Sequence, residues 1–336
     1  MNNFIILEDT CRDSLYVSNF LIESEIICEF AEKISDIGLN FIEIGHPLGI
    51  GAYRKYSSGF TDRQLFSAAQ EVIRKNKIFC FFIPNIGNID DLDLIKEFGL
   101  YGIRVGINAT ELKDQVKLIE VIRKRDIFIC LNLMKSYTVD PKEYAKNLKD
   151  VKDLIDVVYI VDSAGCMFPD DIRKYIELVR DELGDIRIGF HGHNNLTLVT
   201  ANALAAIDCG ADFIDTTLGG IGRSGGNVPT EALLAIMNRK GILQNEGILL
   251  DVLKITRDFR NYLLTKGIHY TLKEEDTLFG YSAFHSSFED IVKTFSEREG
   301  VDFHKMIIEV ANVNKTIVDE YVLRQALTNM TKKAGS

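Results

Sequence analysis

The chain has no C-x-x-C pair. Its six cysteines, Cys11, Cys28, Cys80, Cys130, Cys166 and Cys209, are scattered, most of them inside apolar runs where a free thiol behaves as a small hydrophobe. That spacing argues against a disulfide framework and against a zinc ribbon. Basic charge is also short: 39 lysines and arginines stand against 49 aspartates and glutamates, a formal net charge of −10. This lacks the clustered basic background of a nucleic-acid footprint. No apolar run approaches the roughly 18 residues of a membrane-spanning helix, and residues 1–8 turn acidic too soon for a signal peptide. A cytoplasmic protein is expected. What is present is an ordinary globular balance, 46% hydrophobic and 26% charged residues, sufficient for one large domain and an appendage.

Short β-branched and aromatic runs alternate with helical-period stretches eight times. Strands are expected at 4–7, 41–44, 78–83, 102–107, 128–133, 157–161, 186–190 and 213–218. Amphipathic segments at 18–37, 61–75, 110–125, 141–154, 169–183 and 196–209 are long enough for crossover helices. Runs such as Ile-Phe-Cys-Phe-Phe-Ile at 78–83 lack alternation, as expected of strands buried on both faces. The pattern predicts an α/β fold, a (β/α)8 TIM barrel over residues 1–241 whose last helix spans 230–240. A helical C-terminal domain is expected over 242–336, with helices at 249–264, 286–296, 303–310 and 316–330 and a turn-rich stretch at 266–280.

A barrel of this kind carries its chemistry at the C-terminal ends of its strands, and polar residues gather there. Asp9, Arg12 and Asp13 follow the first strand, and Glu43 and His46 end the second. Asn108 ends the fourth, Lys135 follows the fifth, Asp162 and Ser163 end the sixth, and His191 and His193 end the seventh. Two histidines spaced by two on a strand project from one face and can grip a single metal ion; the other reading is hydrogen-bonded core filling. With Asp13 they form a two-nitrogen, one-carboxylate set with open positions, which suits a catalytic divalent ion: Mn2+ first, with Mg2+ or Co2+, ahead of tetrahedral Zn2+. Arg12 either stabilises an enolate beside that metal or forms a salt bridge to Glu43. Ser163 either holds a substrate carboxylate or, with Asp162, caps the following helix. The glycine-rich loop 219–227 either cradles a phosphate or packs tightly beside the metal, with Asn227 as a helix cap that also approaches the ion.

The segments 8–13 (Glu-Asp-Thr-Cys-Arg-Asp), 43–46, 161–165, 189–195 and 222–231 resemble the DRE-TIM metallolyases, the HMGL-like or pyruvate carboxyltransferase-domain superfamily. Within it the 4-hydroxy-2-oxovalerate aldolases are the most similar branch, and residues 280–288 are similar to their tail motif. The resemblance implies that Asp13, His191 and His193 bind the metal, Arg12 supports a pyruvate enolate and Ser163 contacts the pyruvate carboxylate. It implies a class II aldolase that forms or cleaves a 4-hydroxy-2-oxoacid, with pyruvate or a related 2-oxoacid and an aldehyde as substrates. It further implies a helical tail that contacts an acylating aldehyde dehydrogenase; a homo-oligomer is also compatible.

Departures from the pattern bear on the chemistry. Three residues after the metal-binding aspartate those aldolases carry a catalytic histidine where this chain has Tyr16, and a tail tyrosine where it has His285. The exchange predicts that Tyr16 and His285 face each other over the substrate and share proton transfer with reversed polarity, alone or beside metal-bound water; otherwise both merely line the pocket. Two further aldolase histidines are replaced by Asn108 and Tyr137, and Lys135 has no counterpart. Lys135 with Arg54 and Lys55 predicts an anionic acceptor. Ser163, Lys135, Asn108, Tyr137 and His46 are therefore the substrate-binding candidates. Three rivals remain: a Claisen-type acyl-CoA/2-oxoacid condensing synthase, a Schiff-base aldolase on Lys135, and an inactive barrel docking a partner dehydrogenase. The first of these branches usually reads His-Cys-His-Asn-Asp where this chain has His-Gly-His-Asn-Asn at 191–195.

Overall fold

The computed structural model describes residues 4–242 and 246–334. Eight parallel strands, β1 (Ile5–Glu8), β2 (Phe41–Glu43), β3 (Lys77–Phe82), β4 (Gly102–Asn108), β5 (Phe128–Met134), β6 (Val157–Asp162), β7 (Arg187–Gly192) and β8 (Phe213–Thr216), pair in sequence order. β8 returns to β1 in the register Ile5↔Phe213 to Glu8↔Thr216, closing the barrel. All eight expected strands are present, their ends displaced by no more than two residues.

The apparently unbroken apolar runs do alternate once the two faces are separated. In β3, Ile78, Cys80 and Phe82 join the apolar layer beneath the helices, while Phe79 belongs to a cluster inside the barrel with Leu7, Cys130, Tyr159 and Phe213. β4 sends Ile103, Val105 and Ile107 outward into the helix layer, and Gly102, Arg104, Gly106 and Asn108 occupy the other face. The glycines are required there. A Cβ on Gly106 would lie 2.5 Å from the Phe81 ring, and one on Gly189 of β7 would lie 2.5 Å from Tyr159. The interior is consequently layered, as in barrels generally. Aromatic side chains fill the bottom, a charged layer of Glu43, Arg104 and Asp215 lies above it, and the strand ends open above that.

Several helices are shorter than their amphipathic pattern. The first begins at Ser24 rather than near residue 18, because Asp13–Ser18 forms a tight turn that ends with Asn19 and Phe20 at positive φ. The 61–75 stretch breaks at Ala69 into Asp62–Ala68 and Gln70–Lys75. The stretch at 266–280, expected as turns, contains the helix Glu274–Ser282; the Asp276 carboxylate accepts the Lys273 backbone N–H at its start. This helix carries almost no apolar periodicity, so only its cap marks it.

Helix Glu246–Thr265 packs Ile255, Phe259 and Leu263 into the barrel's outer layer, with the Phe259 ring 4.9 Å from Phe30. A second apolar core, including Phe279, Phe295, Ile307, Val310 and Leu323, unites the helices that follow. The division into 1–241 and 242–336 stands as a proposal about folding units; packing places Glu246–Thr265 on the barrel side. No described helix is long and apolar enough to cross a membrane.

Candidate active site

A cavity of about 210 Å³ opens at the C-terminal ends of the strands. Among the residues lining it are Arg12, Asp13, Tyr16, Asn108, Lys135, Ser163, His191, His193 and His285, nine of the eleven residues singled out from sequence. β7 delivers the imidazoles: His191 lies on its inward face, and His193 follows two residues on. Asp13 comes from the tight turn after β1, whose N–H bonds to the Asp9 carbonyl at 2.8 Å.

Asp13, His191 and His193 each offer a ligand atom, all within 4.8 Å of one another and all buried. Asp13 Oδ2 lies 3.8 Å from His191 Nε2 and has no hydrogen-bond partner, and Asn227 Oδ1 beside it is equally orphaned. A Cβ on Gly222 would collide with that Asn227 oxygen, so only glycine leaves room for the cradle. Burial alone would raise the Asp13 pKa. The Arg12 guanidinium, the largest opposing influence, overrides burial and holds the carboxyl below its usual range. Burial pushes His193 down to about 3, which keeps its nitrogen lone pair free. Each ring has an outer partner that fixes its tautomer: His191 Nδ1 donates to Asp215 Oδ2 at 2.9 Å and His193 Nδ1 to the Gly226 carbonyl at 3.2 Å. Nε2 of both therefore remains for a metal. An ionised carboxylate and two imidazoles whose Nε2 atoms are left unengaged fit a divalent cation.

The outer partners give a prediction. Asp215→Asn removes the charge behind His191 without changing shape and is expected to weaken Mn2+ binding by about 10–100-fold, read by calorimetric titration. Unchanged affinity would remove Asp215 from this role.

The salt bridge from Arg12 to Glu43 is present, and the guanidinium also lines the cavity. Its Nε donates to Asp9 Oδ1 at 3.0 Å and to Glu43 Oε2 at 3.1 Å, Nη1 donates to Asp13 Oδ1 at 2.9 Å, and Nη2 pairs with Asp9. A guanidinium has five N–H donors, so one N–H on each terminal nitrogen is left unassigned by these bonds. The fork is immobilised while its charge lines the cavity.

The other sequence candidates separate by their partners. Ser163 Oγ accepts the Lys135 backbone N–H at 2.9 Å, while the Asp162 carboxylate takes the Cys166 and Met167 N–H groups at 3.0 Å; the turn belongs to Asp162 and leaves the Ser163 hydroxyl proton free to donate. Asn108 donates to Glu111 at 2.9 Å. His46 does not reach the cavity: its Nε2 donates to the Ser57 carbonyl at 2.9 Å and its Nδ1 accepts from Leu48 N–H at 3.1 Å, so the loop after β2 consumes both nitrogens. Tyr137 faces separate depressions near Cys166. Arg54 is paired with Asp91, and Lys55 donates to the Asn85 carbonyl at 2.6 Å; neither lines the cavity. Tyr16 and His285 share the cavity wall, with Arg223 connecting their surroundings: its guanidinium lies 4.9 Å from the Tyr16 ring centroid and its Nε donates to Ser286 Oγ.

The glycine-rich loop packs rather than cradles an anion. Its Gly226 carbonyl accepts from both His193 and the Asn194 backbone N–H, and a Cβ on Gly225 would meet the Asn195 backbone at 2.7 Å. Sequence reading missed Arg104, Asn132, Asp215 and Arg223. Arg104 is fully buried and pairs with Glu43 and Asp215, and Asn132 Oδ1 lacks a partner inside the cavity wall. For Arg104, Asn132 and Asp215 the available signal was a charged or amide residue within an otherwise apolar strand; Arg223 lies in the glycine-rich loop.

The HMGL-like family profile matches residues 3–258. An oxaloacetate decarboxylase from Mycobacterium tuberculosis is 31% identical over 310 residues, covering 91% of this chain and 90% of that protein. A 4-hydroxy-2-oxovalerate aldolase from Thermus thermophilus is 30% identical over 338 residues, covering 99% and 96%. Among solved structures, the N-terminal domain of a putative aldolase from Bacteroides vulgatus has the same fold, with a TM-score of 0.74 at 23% identity, covering 87% of this chain and 97% of that one.

Proposed function

The chain belongs to the HMGL-like family, and we propose that it is a divalent-metal-dependent carbon–carbon lyase, an aldolase that forms or cleaves a 4-hydroxy-2-oxoacid through a pyruvate enolate. The observation that carries this reading is the buried, unpartnered Asp13 oxygen beside two buried imidazoles and under a fixed guanidinium. Full-length relatives named as such aldolases support it.

Asp13, His191 and His193 would hold the ion, Mn2+ by preference, and the ion supplies Lewis-acid polarisation that acidifies the methyl group of a 2-oxoacid. Arg12 offers its two unassigned N–H groups to the oxygen on which enolate charge develops, from a position that needs no reorganisation. The Ser163 hydroxyl donates to the donor's carboxylate. His285 is held well below the usual imidazole range by burial and by the neighbouring charges of Arg223 and Lys135, so its ring is neutral. With Nδ1 accepting from Ser287 N–H, its proton resides on Nε2, a donor for the acceptor's carbonyl oxygen. Burial raises the Tyr16 phenol, which stays protonated. As C3 attacks, a C–C bond forms and the carbonyl π pair becomes an alkoxide. The proton lost by C3 leaves to solvent, the alkoxide takes one from the Tyr16 and His285 pair, and the pair regains it from solvent, so protons balance over the cycle.

Pyruvate incubated with the metal-loaded protein in D2O without an acceptor is expected to exchange its methyl protons, and a thiol reagent is expected to find no free CoA released from an acyl-CoA. The activity named for the M. tuberculosis relative reaches the same enolate by loss of CO2; CO2 release from oxaloacetate alone separates that reading. Docking of an aldehyde dehydrogenase and homo-oligomerisation belong here as proposals. Exposed Phe168 and Tyr281 beside a cavity of about 550 Å³ support a contact surface on that side.

A further inference from the structure

We propose that Lys135 and Arg223 form an anion subsite that receives a carboxylate on the acceptor, so that the physiological acceptor is a carboxylated aldehyde rather than a neutral one. The inference rests on the aldolase reading and goes beyond it by naming the acceptor's chemical class.

The cavity lining contains three permanent or near-permanent cations, Arg12, Lys135 and Arg223, and one carboxylate, Asp13. Arg12 is neutralised by Asp9, Asp13 and Glu43. Among the described residues, neither Lys135 nor Arg223 has an ion-pair partner. Lys135, 6% exposed, donates from Nζ to the Thr316 carbonyl at 3.0 Å and lies 4.7 Å from the Phe288 ring centroid. Arg223 spends its Nε on Ser286 and contacts the Tyr16 ring and hydroxyl, which leaves the rest of its terminal N–H groups. A buried cation such as Lys135 bonded only to neutral groups is costly unless an anion completes it, and half-buried Arg223 faces the same cavity and can share that anion.

Backbone geometry shows that the lysine's place is specified. Lys135 has φ of +58°, an unfavourable region for a residue with a Cβ, and that conformation directs its N–H onto Ser163 Oγ. The cations also lie on the acceptor's side of the cavity. The residues that hold them, Ser286, Phe288 and Thr316, come from the C-terminal helical unit, whereas the metal ligands, Arg12 and Ser163 come from the barrel. A donor 2-oxoacid anchored on the barrel groups leaves the tail side for the acceptor's far end.

Burial and Arg223 lower the Lys135 ammonium to about 8, against the opposite pull of Glu111 from the loop after β4. His285, the other titratable group beside it, stays neutral. Lys135 is therefore charged at neutral pH and loses its charge as pH rises past about 8, so affinity for an anionic acceptor declines in that direction.

The test compares succinic semialdehyde with butanal, which have equal chain length and differ in the terminal carboxylate. Pyruvate is the donor, and the readout is the ratio of kcat/KM for the two acceptors within each enzyme. The wild-type ratio is expected to be about 10 or more, to fall above about pH 8, and to collapse toward one in Lys135→Met and in Arg223→Met. General damage lowers both rates and leaves the ratio standing. A wild-type ratio near one, or a ratio unmoved by both substitutions, overturns the subsite; the cations then serve the donor's carboxylate or only pin the tail. If Lys135→Met fails to fold, the wild-type ratio and Arg223→Met still decide. Pyruvate proton exchange run alongside tells the failures apart: exchange without acceptor preference removes the subsite alone, and absence of exchange removes the aldolase reading and the subsite with it.

Discussion

Arg12→Lys is expected to lower kcat by about 100-fold or more while the protein remains folded and loaded with metal. The magnitude is that of losing a pre-aligned donor to developing negative charge. Lysine keeps the charge that separates Asp9, Asp13 and Glu43, but it has neither the planar fork nor the two N–H groups left over from binding three carboxylates. Arg12→Ala is a poorer test, because it strips buried Asp13 of its cation and leaves Asp9 and Glu43 with Arg104 alone, which costs stability as well as rate. Steady-state kinetics on soluble, metal-loaded Arg12→Lys checks the role. A kcat near the wild-type value would mean that the guanidinium only holds the carboxylates apart.

Arg104→Met should destabilise the barrel by about 3–5 kcal/mol, the cost of leaving buried charges without their partner. Arg104 is fully buried in β4, pairs with Glu43 from β2 and Asp215 from β8, and lies 4.6 Å from the Tyr159 ring centroid. It thus ties together strands on different sides of the barrel beneath the site. The same Asp215 oxygen bonds to His191, so this layer also sets the angle of the proposed metal-binding imidazole. Denaturant unfolding measures the loss. The double variant Arg104→Met with Glu43→Gln is expected to recover part of it, because the two residues share one interaction. A single-variant loss below about 1 kcal/mol would mean that water or rearranged partners satisfy the carboxylates, and that the charged layer is not structural.

The barrel was legible because eight β runs alternate with helical stretches, and that period admits few other folds. The cluster of Asp13, His191 and His193 was legible too: two histidines at i and i+2 on a strand must share a face, and Asp13 lies just past the first strand end. The charged layer was not legible, because Glu43, Arg104 and Asp215 sit singly in runs that look continuously apolar, and burial on both faces hides the period of two. Gly102, Arg104, Gly106 and Asn108 show that period once the sequence is divided by face. His46 and Tyr137 were misjudged for a different reason. Both lie in loops, where the backbone path decides whether a side chain turns inward, and the His46 ring turns to bond its own loop. Arg223 was overlooked inside a segment read for its glycines, although a cation between glycines at a strand end is a candidate on its own account.

Exchange of pyruvate's methyl protons in D2O, followed by NMR before chelation, after chelation and after Mn2+ is restored, tests the central claim most directly. Loss of the methyl signal that stops with the chelator and resumes with the metal is the predicted result, and replacing Asp13 or His193 by Ala should abolish it. Exchange that continues undiminished in the chelated protein, or that never occurs in a folded protein carrying Mn2+, would contradict it.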